Sequence, residues 1–299
     1  MTPLPPPRRA VALALMVVAP LLWSIAGVVT RHVQSATAPE MAFWRSGTAA
    51  AFVYLALRLA LGRRPFGALR AAGAAGLVSG AMWAIMFTCF IVALNFTTTA
   101  NVLVMSSLGP LFTAVLARLF LREPLPARTW IAIVAASAGM LAMFGSRFAA
   151  HEARHLAGMA LALAIPLAGA INLVTLRRSA AHLDLMPAVM LGALISAALT
   201  LPFALPFQAS GRDVLLLAGL GVFQLGLPCL LLVLVSRTLT APEIALLALL
   251  EVILGPVWAW LGAGEVPALA TVTGGAVVLG ALAGNELAAL VQRKRPRMG

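Results

Sequence analysis

Little in these 299 residues carries charge: Asp, Glu, Lys and Arg together make up 10% of the chain, and nine residues are acids. A soluble domain draws about 25% of its residues from those four types, so this chain lacks the means to solvate a globular surface. Cysteine is nearly missing as well. Cys89 and Cys229 lie singly inside apolar runs, which excludes a secreted disulfide framework and a Cys-based metal spacing and leaves them as small packing residues. No phosphate-cradling Gly-rich loop, Walker motif or Gly-x-Ser-x-Gly elbow occurs, so direct ATP drive and serine-hydrolase chemistry have no support.

What fills the chain instead is hydrocarbon. It is 62% hydrophobic with a mean hydropathy of +1.01, against about 45–50% apolar in soluble domains. This is the composition of an integral membrane protein, whose first partner is the lipid bilayer. The net charge of +12 does not point to nucleic acid, because no basic cluster interleaves with aromatics or follows a recognition motif. Most cations stand at the ends of apolar runs, where Lys and Arg set membrane orientation.

A bilayer core takes about 20 apolar residues per helix, because backbone polar groups in lipid must be satisfied within the segment. Ten runs qualify, at about 10–31, 41–61, 70–94, 99–121, 128–146, 156–177, 186–207, 213–236, 243–263 and 268–290. The first follows Arg8 and Arg9 as a signal peptide would, but its apolar stretch is longer than a typical signal core, and it counts as a helix. With the N-terminus in the cytoplasm, sixteen Lys/Arg fall on the cytoplasmic side, the pairs Arg63–Arg64 and Arg177–Arg178 among them. Only Arg31, Arg147, Arg154 and Arg212 fall outside, so both termini are expected in the cytoplasm of a bacterial-type inner membrane.

Shifting the sequence by 142 residues lays 93–126 on 235–268 without a gap; Glu123 then meets Glu265, each just past a helix end, and Gly27 meets Gly169. The expected organisation is a tail (1–9), a five-helix repeat (10–146), an outer linker (147–155), a second five-helix repeat (156–290) and a basic tail (291–299). Five is odd, so the second half enters the membrane from the opposite side. Inverted repeats of this kind belong to transporters, with substrate held at the repeat interface near mid-bilayer.

The stretches "LLWSIAGVVTR", "FWRSG" and "ALNFTTTANVLVMSSLGPLFTAVLARLFLREPL", with the paired "REP" and "GEVP" helix ends, resemble the drug/metabolite transporter superfamily of the EamA type, and within it YddG-type amino-acid exporters. The resemblance implies an all-α fold of ten transmembrane helices in two inverted repeats. It further implies a central cavity lined by helices 1–4 and 6–9, with helices 5 and 10 outside, and export of small metabolites.

Glu251 is the leading site residue. It sits near the bilayer centre, where an ionised acid costs about 2.5–3.5 kcal/mol and must face water, a partner or a proton. Gly255 and Trp258 share its helix face, leaving room for a ligand ammonium on the carboxylate and an apolar side chain on the ring. Pairing with Arg45 of helix 2, as a structural link between two helices, is the competing role. A carboxyl that exchanges its proton at that depth would also couple export to protons.

Asn101, Asn172 and Gln224 supply amide donors and acceptors at membrane depth, as substrate contacts or as glue between helices. Trp23 and Gly27 share a face of helix 1, and Trp83 heads a stripe with Phe87 and Phe90. Pro110 and Pro256 remove backbone donors inside spans and mark sites of bending. The spacing Gly280-x-x-x-Gly284 offers a contact for close packing or a homodimer.

Residues 151–155, "HEARH", match His-Glu-x-x-His literally. No third ligand accompanies them and a water-facing linker is a poor cage, so zinc-enzyme chemistry is the remote alternative. The expectation is a secondary transporter without cofactor or catalytic residue, exporting small amphipathic metabolites, amino acids foremost, by alternating access. A facilitative channel or uniporter is the nearer alternative.

Overall fold

The computed structural model describes residues 5–60, 62, 64–97, 102, 105–122, 125–144, 153–263 and 269–294. Among them every regular element is a helix. Five helical stretches are long and apolar enough to cross a membrane, namely Arg9–Thr30, Pro65–Ala93, Leu156–Ser179, Met186–Ala204 and Gly211–Val235, and three shorter apolar ones are Gly109–Leu121, Ala127–Ala142 and Val272–Asn285. The chain is a multi-pass helical membrane protein.

Helices α1 (Arg9–Trp23) and α2 (Ala26–Thr30) form one interrupted span. Pro20 lies in the last turn of α1, and the Ser24 hydroxyl just beyond it donates to the Leu21 carbonyl at 2.8 Å. Helix α3 (Ala38–Leu55) starts with Pro39 in its first turn, where a missing N–H costs nothing, and ends in a π-turn over Ala56–Ala60. Helix α4 (Pro65–Phe96) is broken at Gly73, whose φ of 53° lies in the left-handed region that glycine alone adopts freely. Next come α5 (Gly109–Leu116) with a π-turn over Ala117–Leu121, α6 (Ala127–Phe144), α7 (Ala153–Ser179) and α8 (Met186–Ala204).

The next span again changes pitch at mid-depth: α9 (Gly211–Gly219) runs through a π-turn at Leu220–Gly226 into α10 (Leu227–Val235). Helix α11 (Ala241–Ala248) breaks at Leu249 before α12 (Leu250–Ala263), and α13 (Leu269–Lys294) closes the chain. Both α9 and α11 open on capping boxes, Ser210 with Asp213 and Thr240 with Glu243. Each box satisfies backbone donors that a helix start leaves orphaned.

The packing partners are specific. Helix α4 lies on α7 and α8, α3 on α8 and the Leu220–Gly226 turn, α1 on α10, α11 and α12, and α5 on α7 and α11, while α6 and α13 pair with each other. Glycines permit the closest of these approaches. A Cβ at Gly192 would strike Trp83 and come within 2.8 Å of the Gly80 carbonyl, and one at Gly221 would strike Thr48 and come within 2.5 Å of the Arg45 carbonyl. Helices α6 and α13 turn apolar side chains outward, with Ile131 68% and Leu269 78% exposed, as a lipid-facing pair requires.

Carboxylates tie the loops at both ends. Asp213 accepts from the backbone of Gln34 and Ser35, and Glu40 from that of Gln208 and Ala209. At the opposite end Arg9 grips Glu243 through both terminal nitrogens, at 3.2 and 2.8 Å, and Arg237 stands 3.6 Å from Asp184. Overpacking a tight helix crossing costs about 1–3 kcal/mol. Gly192→Ala should therefore lower the apparent Tm of the purified protein by several degrees, whereas Gly27→Ala, with nothing within 4 Å of its added carbon, should leave it nearly unchanged.

Candidate substrate cavity

A cavity of about 220 Å³ occupies the centre of the bundle, near the lower bound of about 300 Å³ for small-molecule pockets. Its wall comes from α1, α3, α4, the stretch around α5, α7, the Leu220–Gly226 turn with α10, and α11 with α12. Helices α6, α8 and α13 contribute no lining residue among those described; α8 instead presses against α3 and α4.

Five of the expected contact residues meet here: Trp23, Trp83, Asn172, Gln224 and Glu251, joined by Arg45 and Pro110. The lining is apolar over most of its extent, with Phe87 stacked on Trp83 at 5.4 Å between ring centres. Against that background the polar groups are few and incompletely paired. One terminal nitrogen of Arg45 donates to the Phe87 carbonyl at 3.3 Å, but its Nε has no partner among the described residues. The same holds for Trp83 Nε1 and Gln224 Oε1, on side chains 1% and 6% exposed. Asn172 accepts from Ser79 Oγ at 2.7 Å through its amide oxygen.

Glu251 makes no hydrogen bond or ion pair among the described residues, and no salt bridge joins it to Arg45. Both charges border the same hollow rather than touching. A buried polar group left unpaired costs about 1–3 kcal/mol, and more when charged, unless water or a ligand meets it. Arg45, Trp83, Gln224 and Glu251 thus border one small space, and Arg45 Nε, Trp83 Nε1 and Gln224 Oε1 lie buried in its wall without a partner among the described residues. That set is complementary to a molecule bearing both an anionic and a cationic group.

Other expected residues lie elsewhere. Trp258 donates from Nε1 to Ser24 Oγ at 2.8 Å, which fastens α12 to the break between α1 and α2. Gly255 and Gly27 have no heavy atom near an added Cβ and do not line the cavity, whereas Gly169, the repeat mate of Gly27, does. Asn101, Glu123, Glu265, His151 and Glu152 lie outside the described residues, as do the side chains of His155 and Pro256. No group of three or more His, Cys, Asp or Glu able to hold a metal occurs among the described residues.

Cys229 lines the cavity, although its apolar surroundings in the sequence suggest packing alone. Helical spacing from Gln224 to Cys229 is five residues, which places them well apart around an ordinary helix. The π-turn at Leu220–Gly226 shifts that register.

Residues 10–145 match the EamA-like transporter family. Over 276 residues the chain is 26% identical to the pseudopaline exporter CntI of Pseudomonas aeruginosa strain UCBPP-PA14, covering 89% of this chain and 92% of that protein; the same exporter from strain PAO1 matches equally. A protein of known crystal structure superposes with a TM-score of 0.78 at 20% identity, covering 96% of this chain and all of the other.

The Trp258 bond to Ser24 is worth about 0.5–1.5 kcal/mol by the usual yield of a hydrogen bond. Trp258→Phe should lower thermal stability by that amount and leave substrate flux in proteoliposomes intact. A fall in flux at unchanged stability would place the ring in the pathway instead.

Proposed function

We propose that this chain, whose residues 10–145 match the EamA-like transporter family, is an inner-membrane secondary exporter of small zwitterionic metabolites, hydrophobic amino acids foremost, working by alternating access. The match to that family and the likeness to an exporter support a membrane transporter rather than an enzyme. The observation that supports the finer reading is the cavity itself, whose mostly apolar wall brings Arg45, Trp83, Gln224 and Glu251 to one hollow.

In this reading the substrate carboxylate lies on Arg45 and the Trp83 ring N–H, and its ammonium on Glu251 and Gln224. Its side chain rests among Trp23, Phe87 and Phe90. Charge-assisted contacts are the stronger ones and fix orientation, while the aromatic wall rewards apolar bulk. Glu251 is also placed to take a proton when no ammonium is there, which would exchange protons inward for substrate outward.

Ten spans in two inverted halves fit the packing. Numbering the apolar runs 1–10, the contact of 3 with 6 mirrors that of 8 with 1, 3 with 7 mirrors 8 with 2, and 4 with 6 mirrors 9 with 1, while 2 with 7 and 5 with 10 are their own mirrors. A two-fold axis in the membrane plane would produce that scheme, with the cavity on the axis. The breaks at mid-span, in α1–α2, α11–α12 and the Leu220–Gly226 turn, give each half a place to flex.

Losing one charge-assisted contact costs about 1.5–3 kcal/mol, tenfold or more in binding. Glu251→Gln should reduce counterflow of labelled phenylalanine in proteoliposomes by at least about tenfold and abolish its response to a pH gradient. Flux equal to that of the parent protein, with the same pH response, would sink the assignment. Counterflow absent in the parent protein while net flux persists would favour a channel.

A further inference from the structure

A second hollow, of about 690 Å³, opens between the outward sides of α5 and α7. Its walls are Leu116 and Phe120 on one side and Leu167, Ile171 and Val174 on the other. Phe120 is 61% and Leu167 44% exposed, so this trough faces sideways, toward hydrocarbon. From 167 to 179 along α7 it extends about 18 Å at 1.5 Å per residue, close to one leaflet of a core about 30 Å thick.

At one end the chemistry changes. Thr175, Arg178, Ser179 and His182 border the trough there, and an adjoining hollow of about 330 Å³ shares His182 and adds Arg64. The side chains of Arg64, Arg178 and His182 are exposed and make no hydrogen bond or ion pair among the described residues. Asp184 is the one carboxylate bordering this end among the described residues, and Arg237 stands 3.6 Å from it.

We propose that this trough holds one anionic phospholipid, with its phosphate and negative headgroup on Arg178 and Arg64 and one acyl chain along Phe120, Leu167, Ile171 and Val174. The apolar walls exclude a soluble phosphate compound as the natural occupant, because they match a chain one leaflet long. The two uncompensated guanidinium groups favour a headgroup without its own cation, and basic pockets between spans take anionic lipids by this chemistry. Helix α7 separates the lipid from the central cavity, to which it turns Gly169, Asn172 and Leu173.

The test is native mass spectrometry of the intact, detergent-solubilised full chain titrated with dioleoyl-phosphatidylglycerol and, separately, dioleoyl-phosphatidylcholine. At about 1 kcal/mol per arginine near the headgroups, the first lipid should bind at least about tenfold tighter than the second. Arg64→Gln combined with Arg178→Gln should erase that preference, and Phe120→Ala should weaken both lipids alike. Equal affinity of the unaltered protein for the two lipids overturns the proposal without reliance on any variant. So does an undiminished preference in the double variant, or displacement of phosphatidylglycerol by millimolar inorganic phosphate.

Discussion

A carboxylate and a guanidinium held at membrane depth without touching each other govern the rest of this molecule. Neither can be left in hydrocarbon, and direct pairing would have filled the space between two helices and closed it. Instead Arg45 and Glu251 stand on the rim of one hollow, with Trp83 and Gln224, whose indole N–H and amide oxygen lack partners among the described residues. Buried polar groups of this kind are costly unless water or a ligand meets them, and in the proposed reading a zwitterionic substrate is that ligand.

The surrounding scaffold serves to keep that hollow open. Glycines at 192 and 221 bring α8 against α4 and the Leu220–Gly226 turn against α3, so that the outer ring of the bundle packs tightly and the space is left at the centre. Helices α6 and α13 pair at the periphery with their apolar side chains turned outward. First-turn carboxylates Asp213 and Glu40 at one end, and Glu243 with Arg9 at the other, hold the spans at their ends while the middle is interrupted by π-turns and breaks. Stiff ends and a yielding middle suit the rocking between two faces that the proposed function calls for.

Much of this was legible in the residues, for reasons that differ by element. Helical character followed from hydropathy, since lipid leaves the backbone almost no alternative. Glu251 and Arg45 stood out because charge is conspicuous in hydrocarbon, and Trp23 and Trp83 because they share faces with small or aromatic neighbours. Trp258 shows the limit: Glu251 and Trp258 do lie in one helix, but the bond of its ring N–H to Ser24 comes from packing against α1–α2, which helical spacing does not reveal. Cys229 was read as packing alone because a π-turn rephases its helix, and such a turn has no period-3.6 signature. The break at Gly73 likewise depends on a backbone angle, not on any pattern of apolar residues.

Cys229, inside the cavity wall, offers the most direct test of whether that cavity opens in turn to both sides of the membrane. In a chain carrying Cys89→Ser, a small membrane-impermeant thiol reagent should modify Cys229 when applied to right-side-out vesicles and also when applied to inverted ones. Modification from neither face, or from one face only under all conditions, would contradict the account of a central hollow alternately exposed by two opposed halves.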